Sequence, residues 1–157
     1  LARKALLPKA NSKALNTYVE EFGRTLGEEL LEPTKIYTKS LGILFDSFRR
    51  KRPIRALAHI TGGGLVENIP RILPDNCDAR IDRSSWEVPA VFRRIKKEGG
   101  VAQREMDRVF NQGIGMVLIV ARDNVRRIQE TLVEAGEQPV VMGEIIEGKG
   151  KVRFGSK

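Results

Sequence analysis

The sequence predicts an α+β domain in which one mixed sheet is covered by helices. Short apolar segments with strand character alternate with amphipathic helical segments along most of the 157 residues. Several connections between predicted strands are too short for the crossovers that parallel pairing needs, so mostly antiparallel pairing is expected. The composition agrees, because a chain that is 41% hydrophobic and 31% charged is typical of a globular domain with a sizeable core.

The N-terminal part of the chain is predicted to be less regular than the rest. A helix is expected over 1–7, where Pro8 would end it. Residues 11–32 have weak periodicity and are interpreted as a connector, with one helical turn around 15–22. The clearest amphipathic helix follows, at about 39–52, and Pro53 stops it. Its apolar stripe is formed by Leu41, Leu44, Phe45 and Phe48.

A glycine loop stands at the centre of the chain. An apolar strand is predicted over 54–60, and it leads into Thr61, Gly62, Gly63 and Gly64. A short segment with helical spacing, 65–73, leaves this loop. Because glycines lack Cβ atoms, a ligand can approach their N–H groups closely. A strand, a glycine turn and a helix start in series therefore form a set of donors suited to a phosphate or carboxylate.

The rest of the chain continues the alternation of strands and helices. Met116–Val120 is a run of five apolar residues, mostly β-branched, and is expected to be buried on both faces. The helix after it is predicted to have Asp123 as its N-cap, Gly136 as its C-terminal cap and an apolar stripe that includes Val133. The remaining strands are expected at 77–81, 140–147 and 151–154, and the remaining helices after Pro89 and at 103–110.

Polar side chains crowd the glycine loop, and they are the candidate site residues: His59, Thr61, Glu67, Asn68 and Arg71. The loop is neither a dinucleotide fingerprint nor a P-loop, so a plain strand-to-helix turn is the alternative interpretation. Pro70 favours a site, because a proline in so short a helix removes a hydrogen bond. For His59 the alternative is a buried neutral imidazole within an apolar strand.

A second glycine turn precedes the strand at 116–120 and contributes the candidates Asn111 and Gly113. Its location beside a central strand favours ligand contacts, and ordinary turn chemistry is the alternative. No metal site is predicted, since the chain has one histidine and one cysteine, Cys77, which is interpreted as core filler. Asp75, Asp78 and Asp82 surround a turn and are expected to be solvated rather than to bind Mg²⁺.

The net charge of +8 favours anionic partners, either nucleic acid or phosphorylated small molecules. The cationic clusters at 49–55 and 149–157 are interpreted as a solvated helix end and a frayed terminus. Nucleic acid is not favoured, because no RNA-binding or zinc-finger pattern is present. The single cysteine and the lack of a membrane-length apolar run predict a cytoplasmic protein. Because the chain begins at Leu1 directly in a helix-like run, we expect it to be part of a longer protein.

Residues 59–74, HITGGGLVENIPRILP, resemble the hallmark of the phosphoribosylformylglycinamidine cyclo-ligase family, also called aminoimidazole ribonucleotide synthetases. Three further stretches resemble that family's sequences in the same order, at 26–37, 86–92 and 105–116. Gln112 is a departure, since a methionine or cysteine is expected there. The resemblance runs through almost the whole chain but covers only half of such an enzyme.

The resemblance implies the C-terminal domain of that enzyme, a three-layer α/β/α fold with a mixed, mostly antiparallel sheet. Residues 1–32 would be an N-terminal helix and inter-domain connector, and 33–157 the C-terminal domain. The intact enzyme, expected to be a homodimer, would use ATP and Mg²⁺ to cyclise formylglycinamidine ribonucleotide to aminoimidazole ribonucleotide, releasing ADP and phosphate. The absent N-terminal domain would hold the metal ligands and much of the ATP site.

By position in the motif, the amides of Thr61–Gly64 and the side chain of Arg71 would hold phosphate groups. His59 and Asn68 would orient the substrate, and Glu67, Asn111 and Gly113 would complete the binding surface. Such an anion-rich reaction would also make use of the net positive charge. Two alternatives remain open: a related ATP-dependent enzyme (selenophosphate synthetase, hydrogenase maturation protein, thiamine-monophosphate kinase or formylglycinamidine ribonucleotide synthase), or a basic module that binds anions or RNA.

Overall fold

The computed structural model describes residues 1–7 and 12–155, which contain eight α-helices and seven strands. Pro8, the predicted helix stop, lies outside these ranges. The helices are α1 (Ala2–Leu6), α2 (Ser12–Leu15), α3 (Leu26–Leu30), α4 (Thr38–Ser47), α5 (Gly64–Asn68), α6 (Ala90–Glu98), α7 (Gln103–Val109) and α8 (Val125–Glu134). The strands are β1 (Tyr18–Val19), β2 (Arg24–Thr25), β3 (Ile54–His59), β4 (Cys77–Ile81), β5 (Met116–Val120), β6 (Gly143–Glu147) and β7 (Val152–Phe154).

The α+β class and the mostly antiparallel pairing are confirmed. β3 pairs with β5 and β4 pairs with β6, both antiparallel, while β7 lies parallel to β4 on its other edge. Within the described residues the strands form separate hydrogen-bonded sheets instead of the single sheet that was expected. The two larger sheets meet through apolar side chains, since Ala58 and Val117 share one buried cluster with Ala79 and Ile81.

Helices cover the strands through two further apolar clusters. Leu44 of α4 and Ile128 of α8 are buried together over one side of the β3–β5 pair. Ile95 of α6 and Met106 of α7 are buried with residues of the N-terminal segment, among them Leu6. The N-terminal segment is thus packed against the rest of the described chain, and its division from 33–157 stays a prediction.

The predicted connector contains more regular structure than its periodicity indicated. Strands β1 and β2 form a small antiparallel pair around a 3₁₀ turn at Glu20–Phe22, where one helical turn was expected. A capping box then starts α3, because the Thr25 hydroxyl accepts from the Glu28 N–H and the Glu28 carboxylate accepts from the Thr25 N–H. The signal for this cap was present in the sequence as a threonine three residues before a glutamate.

Helix α4 ends at Ser47, earlier than predicted. Of its apolar stripe, Leu44 and Phe48 are buried, whereas Phe45 is 44% exposed and does not belong to the core. The cations at 49–52 consequently follow the helix rather than forming its last turn. Arg52 has a positive φ of 42°, which is uncommon for a residue with a side chain.

Three expectations for the C-terminal part are wrong in detail. Strand β5 is only half-buried apart from Val117, because a cleft opens along it. Asp123 lies in a 3₁₀ turn at Arg122–Asn124 and does not cap α8, while the left-handed Gly136 does follow the helix C-terminus as predicted. Val133 is 59% exposed and lies outside the core stripe.

Asp78 is fully buried, which contradicts the expectation that it is solvated. Its carboxylate accepts hydrogen bonds from the backbone N–H groups of Lys149 and Lys151, at 2.7 and 2.8 Å, and pairs with Arg153. The N–H of Lys149, the Arg153 guanidinium and the N–H of Lys151 lower the pKa of Asp78 to about 2. This carboxylate therefore fixes the turn between β6 and β7.

We expect Asp78→Asn to lower the free energy of unfolding at neutral pH. The folded pKa, about 2, lies below the ordinary 3.8, so the unfolded state binds the proton more readily. The contribution of the carboxylate is therefore complete above about pH 4 and is lost as the pH falls towards 2. The measurement is the denaturant midpoint of wild type and variant at several pH values. The difference between the two midpoints should become smaller as the pH falls from about 4 towards 2. Asp46→Asn, at an exposed surface pair, is the control and should change little.

Candidate functional site

Two glycine loops that lie far apart in the sequence meet at one end of the β3–β5 pair. His59, the last residue of β3, is paired with Met116, the first residue of β5. One residue further on, the N–H of Ile60 donates to the carbonyl of Gly115 at 2.9 Å. The loop at 61–64, called here the first loop, therefore lies beside the loop at 111–115, the second loop.

The first loop is held from inside by Asn68. The buried amide nitrogen of Asn68 donates to the carbonyls of Gly62 and Gly64, at 3.2 and 2.8 Å. Gly63 has a φ of 97° and Gly64 a φ of 57°, conformations that favour glycine. Within the described residues the backbone N–H groups of Gly62 and Gly63 donate no hydrogen bond. The loop is thus fixed in shape while these donors stay available.

Gly64 is the point where the first loop touches α7. A Cβ atom at Gly64 would lie 2.0 Å from the carbonyl oxygen of Asp107 and 2.8 Å from that of Phe110. Both contacts are with backbone, which cannot rotate away as a flexible side chain can. The position therefore excludes any side chain, whereas Gly62 faces open space.

Glu67 and Arg71 lie on the short helical segment that leaves the first loop. The Glu67 side chain packs against Gly63, where a Cβ atom would come within 2.7 Å of its carboxylate. Pro70 begins a 3₁₀ turn, Pro70–Ile72, because it has no N–H to continue α5. Arg71 lies in this turn with an exposed side chain, and among the described residues it has no ion-pair partner.

The second loop is a tight turn with its own internal bonds. The Asn111 carboxamide oxygen accepts from the N–H of Gly113 at 3.1 Å. Gly113 has a φ of 98° and packs against Pro89, whose ring lies 2.6 Å from where a Cβ would stand. Gln112 between them is buried although it also has a positive φ, of 48°. Asn111 is half-buried and Gly113 is exposed.

His59 is exposed, so the alternative of a buried structural histidine is wrong. Its ring meets the edge of Tyr37, with centroids 6.2 Å apart and planes at 70°. Tyr37 in turn packs against Gly115, where a Cβ atom would lie 2.1 Å from the phenol oxygen. Burial raises the pKa of Tyr37 above its ordinary value, and the nearby Lys35 opposes this.

A cleft of about 890 Å³ runs along β5 and β6 and adjoins the second loop. Lys35, Tyr37 and Arg80 are among its lining residues, but the first loop is not. The Nε of Arg80 is buried and has no hydrogen-bond partner within the described part of the chain, although its guanidinium pairs with Glu144. The cleft therefore offers room for a ligand on one side of the second loop.

The main site residues that sequence reasoning missed are Tyr37 and Asp107. Both lie inside stretches that resemble the cyclo-ligase family, 26–37 and 105–116, so the signal was available. Asp107 is 5% exposed and its carboxylate is bound by several side chains. Tyr37 is distant from both loops in the sequence, and Asp107, which lies shortly before the second loop, reaches the first loop only through long-range packing.

Across residues 1–7 and 12–155, no three His, Cys, Asp or Glu side chains converge in a way that could hold a metal ion. Cys77 is half-buried and is a free thiol. None of the helices in the described ranges has the length and apolarity to cross a membrane.

The contact between Gly64 and α7 can be tested by a matched pair of glycine substitutions. Gly64→Ala is expected to destabilise the protein by about 1–3 kcal/mol more than Gly100→Ala, because overpacking has that typical cost. The control shares the backbone conformation, with a φ of 58° against 57°, but its Cβ would face open space. The measurement is the free energy of unfolding in denaturant. Equal losses in the two variants would contradict a close approach of α7.

The sequence matches the family described as AIR synthase related protein, C-terminal domain, over residues 4–155. Phosphoribosylformylglycinamidine cyclo-ligases of Caldanaerobacter subterraneus and Carboxydothermus hydrogenoformans are 47% and 50% identical over 152 residues, 97% of this chain. A bifunctional purine biosynthetic protein of Saccharomyces cerevisiae is 52% identical over 124 residues, 79% of this chain and 15% of that protein. The chain spans 44% and 43% of the length of the two bacterial relatives.

Solved structures show the same fold at low identity. Thiamine-monophosphate kinase from Stenotrophomonas maltophilia superimposes on 98% of this chain, and 46% of its own, with a TM-score of 0.62 and 20% identity. The hydrogenase maturation protein HypE of Escherichia coli covers 82% of this chain and 40% of its own, with a TM-score of 0.56 and 23% identity. The sequence match over nearly the whole chain decides the relationship: the chain belongs to the family of AIR synthase related proteins, as a C-terminal domain of that family.

Proposed function

We propose that the chain is the C-terminal part of a purine-biosynthesis ligase that cyclises formylglycinamidine ribonucleotide to aminoimidazole ribonucleotide with ATP, releasing ADP and phosphate. The observation that carries this proposal is identity of 47% and 50% to proteins named phosphoribosylformylglycinamidine cyclo-ligase, across 97% of the chain. The geometry supports it, because two glycine loops converge and leave backbone donors free at one surface.

The remaining half of the enzyme is proposed to be an N-terminal domain. The bacterial relatives are more than twice as long as the matched region, so a further domain has room in them. Mg²⁺ is assigned to that domain, since no suitable cluster of carboxylates lies among the described residues of this chain. The homodimeric state and the cytoplasmic location stay predictions.

The first loop is proposed as the phosphate-binding part of the site. The free N–H groups of Gly62 and Gly63 can donate to phosphate oxygens, and exposed Thr61 can add its hydroxyl. Arg71, exposed and without an ion-pair partner among the described residues, can bind a phosphate through two parallel hydrogen bonds. Gly64 contributes by letting the loop rest directly on α7.

The other candidates are proposed to orient the substrate. Glu67 is a carboxylate beside Gly63, and as a hydrogen-bond acceptor it suits the hydroxyl or amidine donors of the substrate. His59 is exposed next to Tyr37 and can direct its imidazole outward. Asn68 acts through the first loop, because its amide nitrogen is engaged with two loop carbonyls. Asn111 and Gly113 shape the second loop.

These residues would serve the cyclisation by holding charge and geometry. ATP, when bound, supplies the phosphoryl group that turns the amide oxygen of the substrate into a leaving group. The amidine nitrogen of the substrate then attacks the carbon of the same amide group. Phosphate leaves from that carbon, and the imidazole ring closes. Fixed N–H donors stabilise phosphate charge without having to reorganise during the reaction, and this is the main catalytic contribution we assign to the first loop.

Other functions have less support. The hydrogenase maturation protein and the thiamine-monophosphate kinase share the fold, but at 23% and 20% identity they do not indicate the reaction. A module that binds RNA is not favoured by any contact in the site described above.

The proposed division of labour predicts that this chain alone has no cyclo-ligase activity. Activity is expected once the chain is joined to, or mixed with, the N-terminal half of a close relative. The measurement is ADP release that depends on formylglycinamidine ribonucleotide. Turnover by the isolated 157-residue chain would contradict the proposed division, and an inactive but folded two-domain protein would contradict the proposed reaction.

In the active two-domain protein, Gly63→Val is expected to lower kcat/KM at least 100-fold, because a side chain there closes the first loop and removes fixed donors. Gly136→Val is the matched control. Its φ of 87° is close to the 97° of Gly63, but it faces open space at the end of α8. Similar activity in the two variants would rule out phosphate binding by the first loop.

A further inference from the structure

We propose that the buried Asp107, with Arg83, Gln103 and the buried Gln112, is a positioning device that holds the two glycine loops in register. This tetrad lies beneath the loops and is not among the residues assigned to bind substrate. Its structural effect is independent of the reaction, whereas its expected effect on catalysis rests on the proposed function. None of the four side chains is offered as a catalytic residue.

Asp107 is the centre of the tetrad. One of its carboxylate oxygens accepts from Arg83, Gln103 and Gln112, at 2.6, 2.8 and 2.8 Å, and the other pairs with the second nitrogen of Arg83. Burial by itself would raise the pKa of Asp107, but these hydrogen bonds together lower it below its ordinary value. The carboxylate is therefore charged and saturated with donors.

The tetrad reaches the first loop through the backbone of α7. The side chain of Asp107 binds the other three members of the tetrad, and its backbone carbonyl oxygen contacts Gly64 of the first loop. The adjoining carbonyl of Phe110 touches the same glycine. A shift of α7 must therefore move the first loop as well, because the contact leaves no space for sliding.

The tetrad reaches the second loop through Gln112. Its side-chain nitrogen donates to Asp107, its side-chain oxygen accepts from Gln103 at 3.2 Å, and its carbonyl accepts from the indole of Trp86 at 3.0 Å. Both polar atoms of its side chain and its backbone carbonyl oxygen are thus engaged in hydrogen bonds. These bonds explain how a residue other than glycine is held at a positive φ of 48°.

Arg83 connects the device to the sheet of β4, β6 and β7. It follows β4 in a 3₁₀ turn, Arg83–Ser85, and its guanidinium lies 3.6 Å from the ring centroid of Phe154 in β7. The tetrad therefore brings together side chains from α7, the second loop and the turn after β4. A charge that is buried and bound from several directions specifies one arrangement, because any other leaves it unpaired.

Gln112 supplies both a donor and an acceptor to the tetrad. The family resemblance leads one to expect methionine or cysteine at this position, and neither has a strong donor and a strong acceptor in one side chain. The carboxamide instead contributes one donor to Asp107 and one acceptor to Gln103. We therefore expect that replacing Gln112 by an apolar residue loosens the two loops, because both hydrogen bonds of its carboxamide are lost.

The test compares Asp107→Asn with Asp78→Asn in the 157-residue chain. Both residues are buried carboxylates paired with an arginine, but Asp78 holds the turn between β6 and β7. The readout is hydrogen exchange of two amides bonded within or between the loops, Ile60 to Gly115 and Gly64 to Thr61. Asp107→Asn should accelerate both about 10-fold beyond its change in global unfolding, and Asp78→Asn should not.

Equal loop exchange in the two variants, after correction for global stability, would overturn the proposal. If Asp107→Asn does not fold, Gln112→Met carries the same comparison, because it leaves the Asp107–Arg83 pair in place. In the two-domain protein, Gln112→Met should raise the KM for ATP several-fold with a smaller change in kcat. Faster loop exchange in the variants, together with no ligase activity in the wild-type two-domain protein, would refute the proposed function and leave the positioning role intact.

Discussion

Antiparallel pairing of β3 with β5 is the constraint on which the candidate site depends. The pairing places the end of one strand beside the beginning of the other, with His59 opposite Met116 and a hydrogen bond from Ile60 to Gly115. Each loop continues directly from its strand, so the two loops must be neighbours. A shift by one residue would turn the apolar side of β3 away from the core, and the buried Ala58 and Val117 specify the register against that shift.

The parts of the fold that follow from local pattern were predictable. Alternation of apolar residues located β3 and β4, helical spacing located α6 and α7, and the glycines located both loops. The family resemblance added the expectation that both loops contribute to one site. Local pattern was less informative where a segment has weak periodicity, as in β1 and β2, or where a cleft removes burial, as along β5. In those segments the exposure of each residue depends on tertiary packing, which the residues adjacent in the sequence do not indicate.

Long-range polar contacts were the part that the sequence could not supply. Asp78 and Asp107 are both buried carboxylates. The donors to Asp78 lie 71 to 75 residues away, and Asp107 combines the nearby Gln103 and Gln112 with Arg83, which lies 24 residues away. An aspartate beside a turn is usually solvated, so composition favours the wrong environment for Asp78. Each carboxylate becomes tolerable in the interior only because an arginine and several N–H groups converge on it. That convergence is a property of the fold and cannot be read from the residues around either aspartate.

The same reasoning limits what the net charge of +8 can do for the site. The cations at 49–52 and Arg55 lie at the start of β3, while the first loop follows its end. A strand from Ile54 to His59 spans about 17 Å at ~3.4 Å per residue. The screening length at physiological ionic strength is about 8 Å, so charges at the far end add little to the potential at the loop. The proposed anion binding at the first loop therefore depends on local groups, the free N–H donors of the loop and Arg71, and not on the cations at 49–55.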